Sequence, residues 1–84
     1  MKFQSQVIRK YENDGWYVIN LIKTNKNGIP DLLCLKGDDV LFIECKEGND
    51  YIKVLQKFRM DELRKIGVKA VCLHKEKGII YGED

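Results

Sequence analysis

Two apolar runs, Leu32-Leu33-Cys34-Leu35 and Val40-Leu41-Phe42-Ile43, flank the polar stretch Lys36-Gly37-Asp38-Asp39, and this pairing constrains the chain more than any other feature. Short apolar runs bounded by turn residues read as buried strands. A connection this brief makes them an antiparallel hairpin, because parallel neighbours need a crossover of a dozen or more residues. With the turn centred between Gly37 and Asp38, residue numbers across the ladder sum to 75. A two-residue type II′ loop with Gly first, or a four-residue loop from Lys36 to Asp39, keeps that register, whereas a three-residue loop would break it. Asp31 then lies opposite Glu44, at the end where the two runs leave off.

Directly opposed side chains share a face of the sheet, with Cβ atoms roughly 4.5 to 5.5 Å apart. Lys46, two residues beyond Glu44, shares that face by the strand period of two. A slip of one residue in register would send the group to the other side. A carboxylate at the end of a buried strand has to be paired, protonated or bound to a metal. Carboxylate oxygens suit hard cations, and Mg²⁺ or Mn²⁺ characteristically takes one or two carboxylates with waters and a phosphate oxygen. Asp31 and Glu44 are therefore expected to be metal ligands, with Cys45 offering only its backbone carbonyl. Lys46 is expected to orient or deprotonate a water, or to neutralise charge developing on a phosphate ester. The bland alternative is a hairpin whose charged ends reach solvent, with Glu44 and Lys46 as a surface ion pair worth about 0–1 kcal/mol.

The flanks supply the rest of the architecture. Phe3, Val7, Ile8 and Tyr11 recur at helical spacing, so residues 3–14 are expected to be an amphipathic helix closed by Gly15, with Glu12 turned away from the acid pair. Trp16 to Ile22 reads as a first strand, with Trp16 as a packing anchor. Lys23-Thr24-Asn25-Lys26-Asn27-Gly28 is a basic turn-forming loop. Pro30 then forces Ile29 into an extended conformation just before Asp31, so the loop overhangs the acids. Lys23 and Lys26 are either solvated connector residues or phosphate contacts. The hairpin runs are apolar on both faces, which requires a helix on each side. A second helix is expected over residues 51–66, capped by Asn49 or Asp50, with Ile52, Leu55, Met60, Leu63 and Ile66 as its buried stripe and Gly67 closing it. Lys53, Gln56 and Lys57 lie close together on its surface, and the two lysines are candidate phosphate contacts. Val68 to Leu73 and Ile79 to Tyr81 complete the strands. The order is αβββαβ with a short terminal strand, an α/β (α+β) fold in which a small mixed sheet is flanked by two helices.

Composition narrows the classes. At 84 residues the chain is expected to be a single domain, 1–84, near the lower limit for a self-sufficient core, so oligomerisation would help it. No apolar run exceeds four residues and the Met1-Lys2-Phe3-Gln4 start has no signal-peptide core, so no membrane span and a cytoplasmic location are expected. Cys34, Cys45 and Cys72 are odd in number, lack CxxC spacing and fall in apolar segments, which suits buried free thiols. His74 is the lone histidine and has no ligand partner at metal spacing. The net charge of +2 permits nucleic-acid binding and does not compel it.

Pro30-Asp31 followed by Glu44-Cys45-Lys46 resembles the PD-(D/E)xK nuclease signature, which sits in an αβββαβ core. Gly28-Ile29-Pro30-Asp31-Leu32 further resembles the G-x-P-D-L entry of the VRR-NUC family, and the match continues through Phe42 to Lys46, Gln56, Leu63 and Gly67, over about residues 4–73. Minimal members of that family are phage or bacterial proteins similar to Holliday-junction resolvases. The resemblance implies a metal-dependent DNA endonuclease acting as a homodimer on branched DNA. It assigns Asp31 and Glu44 as ligands of Mg²⁺ or Mn²⁺, Lys46 as the catalytic lysine, and Gln56 as an accessory group. The family usually carries a glutamate in the first helix that reaches the metal, and Gln4 stands at that position as a weaker ligand. That departure carries a second reading, a nucleic-acid-binding or assembly module that keeps the nuclease fold with little catalysis.

Overall fold

The computed structural model describes residues 2–82. Its elements are α1 (Phe3–Asn13), β1 (Tyr17–Asn20), β2 (Leu32–Lys36), β3 (Asp39–Lys46), α2 (Val54–Lys65), β4 (Lys69–His74) and β5 (Gly78–Tyr81). The strands form one mixed sheet in the order β1-β2-β3-β4-β5, with β3 and β4 parallel and the other neighbours antiparallel. The expected αβββαβ order with a short extra strand is met.

The central hairpin has the expected register. Leu32 pairs with Ile43 and Lys36 with Asp39 around a two-residue Gly37-Asp38 turn. Gly37 has φ +59°, and among the described residues no non-glycine residue has a positive φ, as a type II′ turn here requires. The period of two then divides the sheet's residues between two cores. On one face Leu32, Cys34 and Ile43 pack with Val7 of α1, joined by Phe3, Ile8, Tyr11, Trp16 and Val18. On the other, Met60 of α2 packs on Ala70 and Cys72, with Phe42, Ile52, Leu63 and Tyr81 around them. Fully burying a side chain such as Leu32, Ile43 or Met60 contributes roughly 1.5–3 kcal/mol, so both helices are held by the sheet rather than by their own propensity. Tyr11 meets Trp16 edge to face at 6.0 Å, and the Trp16 ring is covered by Lys36, which makes Trp16 a packing residue.

Several boundaries differ from expectation. β1 ends at Asn20 rather than Ile22, because the Ile22 N–H turns back to the Asn20 carbonyl at 3.1 Å while the Leu21 N–H donates to the Asp31 carbonyl at 2.8 Å. α2 starts at Val54, and neither Asn49 nor Asp50 caps it; Lys53 holds the N-cap position. The Lys53 N–H is satisfied from inside the helix by Gln56 Oε1 at 2.9 Å, and Asp50 accepts from Tyr51 N–H instead. The expected apolar stripe of α2 is only partly inward. Met60 is fully buried and Ile52 and Leu63 pack around it, whereas Ile66 lies beyond the last helical turn and is 76% exposed. Leu55 packs against the loop at Gly28 instead of the sheet. Among the described residues, no helix is long and apolar enough to cross a membrane.

Candidate active site

Glu44 and Lys46 occupy the last turn of the ladder on β3, facing α2, and both are almost fully buried. They point to that side because Phe42 does, two and four residues earlier. Lys46 Nζ stands 3.2 Å from Glu44 Oε2, and the same carboxylate oxygen accepts from Gln56 Nε2 at 3.2 Å. Glu44 Oε1 is buried and has no hydrogen-bond partner. Asp31, immediately before β2, continues the hairpin register opposite Glu44, and its Oδ2 accepts the Cys45 N–H at 3.0 Å. Asp31, Glu44 and Gln56 line one open cleft together with Lys23, Lys26 and Asn27 of the preceding loop.

The electrostatics follow from burial. Desolvation first, then the facing Asp31 carboxylate, push the Glu44 pKa from its ordinary 4.5 to about 7, against the opposing pull of Lys46. Burial disfavours the Lys46 charge, but the Glu44 and Asp50 carboxylates outweigh it and hold the Lys46 pKa above its ordinary value. Glu44 thus has an unpaired buried oxygen and, despite Lys46, a raised proton affinity that a further positive charge beside it would lower. A hard cation between Asp31 and Glu44 would satisfy both. The donor set is two carboxylates, since no group of three or more His, Cys, Asp and Glu side chains gathers for a metal among the described residues. That number suits Mg²⁺, which keeps several waters, better than it suits a closed structural site.

The loop above the cleft is fixed in place. Gly28 has φ +83°, and a Cβ there would sit 2.7 Å from Leu55 Cγ, so only glycine lets α2 approach this closely. Arg59 Nε donates to the Asn27 carbonyl at 2.8 Å, a second tie from α2. Thr24 Oγ1 accepts from Lys26 N–H at 3.2 Å and shapes the turn between the two cleft lysines.

The remaining residues singled out in the sequence lie apart. Gln4 Nε2 donates to Asn20 Oδ1 at 3.0 Å and does not line the cleft. Lys53 sits against the Tyr51 ring and 3.9 Å from Asp50, while Lys57 lies over the Tyr81 ring, so neither borders the cleft. The three thiols are free; burial pushes Cys34 and Cys72 up to about 11 and Cys45 to about 12, far from reactive. His74 is buried with both ring nitrogens in hydrogen bonds to backbone groups. Sequence reasoning overlooked Asp50 as a partner of Lys46, 3.5 Å away. The four-residue offset that links them is a helical signal, and here the chain between them is a loop.

No family model matches the chain. The chain is similar to a UPF0102 protein of Ruegeria pomeroyi, 24% identical over 67 residues that make up 80% of this chain and 54% of that protein. It therefore spans about half the length of that curated relative. Its fold is similar to that of a solved VRR_NUC domain, with a TM-score of 0.72 and 27% identity over 82% of this chain and 76% of the other. It is also similar in fold to a Holliday junction resolvase from the archaeal hyperthermophile Archaeoglobus fulgidus, with a TM-score of 0.69, 19% identity, and 87% and 65% of the two chains covered. The fold implied by the resemblance to the VRR-NUC branch of the PD-(D/E)xK nucleases is thereby also found in a solved VRR_NUC domain.

Proposed function

We propose that the chain is a divalent-metal-dependent DNA endonuclease that hydrolyses phosphodiester bonds, with selectivity for branched DNA such as Holliday junctions. The observation that carries the reading is the orphaned Glu44 Oε1, buried in a cleft that Asp31 shares and that Lys23 and Lys26 border. Asp31 and Glu44 would hold Mg²⁺ or Mn²⁺, with the Cys45 backbone carbonyl as a further oxygen. Such a cation would offset phosphate charge and lower the pKa of a bound water, supplying a hydroxide nucleophile near neutral pH. Asp31 is kept in place by the Cys45 N–H and Glu44 by Gln56 Nε2, so neither acid has to be ordered when substrate arrives. Lys46, an ammonium between two carboxylates, orients the attacking water or offsets charge developing on the phosphate. Lys23 and Lys26 receive the flanking phosphates, and Lys53 and Lys57 extend the basic surface farther out.

A homodimer fits this reading. A two-fold pair presents two clefts to opposed strands of a symmetric junction, and the outer face of α2 leaves Val54 and Phe58 exposed for cover. The second reading, a binding module with little catalysis, draws on Gln4, whose amide is spent on Asn20 rather than held toward the acids. Incubating the protein with four-way junctions, flaps and linear duplex in Mg²⁺ and in Mn²⁺ separates the two. Nicks on the junctions support the nuclease, whereas salt-sensitive binding with no cut under either ion supports the module.

A further inference from the structure

Lys46 is held by two carboxylates, and only one of them belongs to the acid pair. Its Nζ lies 3.2 Å from Glu44 Oε2 and 3.5 Å from Asp50 Oδ2. Asp50 stands in the connection between β3 and α2, where its Oδ1 accepts the Tyr51 N–H at 2.9 Å, so the backbone of the next residue sets the carboxylate's direction.

That connection is clamped at Gly48. The Gly48 N–H donates to Glu76 Oε1 at 2.9 Å, and the Gly48 carbonyl is 3.0 Å from His74 Nε2. The His74 tautomer follows from its other nitrogen. Nδ1 is 3.2 Å from the Glu76 N–H and 3.3 Å from the Lys77 N–H, both of them donors, so Nδ1 accepts and Nε2 carries the hydrogen given to Gly48. His74 is 2% exposed, a fixed strut between β4 and the Gly48 connection.

We infer that Asp50 is a positioning residue for Lys46, set by the His74–Gly48 clamp, and that it keeps the ammonium beside the acid pair when Glu44 gives its oxygens to a cation. The inference rests on the nuclease reading above. A cation beside Glu44 weakens the attraction between Glu44 and Lys46, and a buried ammonium left without a counter-charge is costly. Asp50 is 47% exposed and does not line the cleft with Asp31 and Glu44, so it supplies that counter-charge without competing as a ligand.

The sign of the effect separates positioning from simple charge. Asp50 repels phosphate, so if it had no other role its neutralisation would tighten DNA binding and leave turnover unchanged or faster. A positioning role makes turnover slower. The experiment compares wild type with Asp50→Asn, Asp50→Glu, His74→Gln and the Asp50→Asn/His74→Gln double variant, after thermal unfolding has shown which are folded. Expected for Asp50→Asn is a kcat lower by about tenfold, the loss of one hydrogen bond to a charged group, with KM equal or lower. Asp50→Glu should restore most of the rate. The double variant should be no slower than Asp50→Asn alone, because both changes remove one contact. NMR of the ¹⁵N-labelled Lys46 ammonium, without DNA or divalent ion, should show a more mobile side chain in Asp50→Asn. A wild-type or faster kcat, or an equally ordered Lys46, would overturn the inference. If His74→Gln fails to fold, the Asp50 variants and the NMR decide it. If the wild-type protein cuts no DNA the nuclease reading fails by itself, while the Lys46 ammonium still reports whether Asp50 holds it.

Discussion

Gln56 and Glu44 tie the second helix to the floor of the cleft through a single hydrogen bond, Nε2 to Oε2 at 3.2 Å. The other end of the same amide, Oε1, accepts the Lys53 N–H at 2.9 Å and so closes the first turn of α2. One side chain therefore serves both the helix and the carboxylate. Gln56→Ala should cost about 1–3 kcal/mol of stability from the lost cap and the weakened carboxylate, read as a lower urea midpoint at unchanged slope. Gln56→Glu keeps an acceptor for Lys53 but sets a second carboxylate against Glu44, and should raise the Glu44 pKa further and slow cleavage more than its stability loss explains.

Glu44 makes the metal-free protein sensitive to pH. Its folded pKa, about 7, exceeds its ordinary 4.5, so the folded state binds the extra proton across that window. Stability from this group is complete below the ordinary value and declines as pH rises through the folded one, by on the order of a few kcal/mol at most. Urea midpoints measured from pH 4.5 to 7.5 without divalent ion should fall in that direction, and Glu44→Gln should flatten the fall. Added Mg²⁺ should release a proton on binding below about pH 7, visible as a buffer-dependent heat in calorimetry.

Gly28 is a position where sequence is dictated by close approach. Gly28→Ala meets Leu55 and the left-handed φ of +83° together. The variant should lose about 1–2 kcal/mol and lift the loop that carries Lys23 and Lys26. Combining it with Leu55→Ala removes the collision and leaves the backbone strain, so DNA affinity should recover only in part.

The cysteines should resist thiol reagents in the folded protein. With Cys34, Cys45 and Cys72 pushed up to about 11, 12 and 11, labelling at pH 8 should follow unfolding rather than thiolate chemistry. A denaturant series with a maleimide should show labelling of all three rising along the unfolding transition.

The hairpin was legible because a short turn couples register to parity, so that placing Gly37 and Asp38 also placed Asp31, Glu44 and Lys46. The two-sided covering by helices followed from runs apolar on both faces. What could not be read were features made by contacts distant in sequence. Asp50 has the sequence signature of a cap, yet it accepts the Tyr51 N–H and pairs with Lys46, in a connection that His74 and Glu76 hold at Gly48. Lys57 shares a local helix surface with Lys53 and Gln56 in the sequence, yet Tyr81 from the last strand attracts it away from the cleft. Leu55 satisfied the periodicity of a core residue and is instead the wall against which Gly28 packs.

The central claim is that Asp31, Glu44 and Lys46 form one hydrolytic site. Single-turnover cleavage of a labelled four-way junction in Mg²⁺, with wild type beside Asp31→Asn and Lys46→Met, tests it most directly. Expected is junction cutting by wild type and a loss of at least about a hundredfold in each variant, with junction binding retained. Cutting that persists at the wild-type rate in Asp31→Asn or Lys46→Met would contradict it.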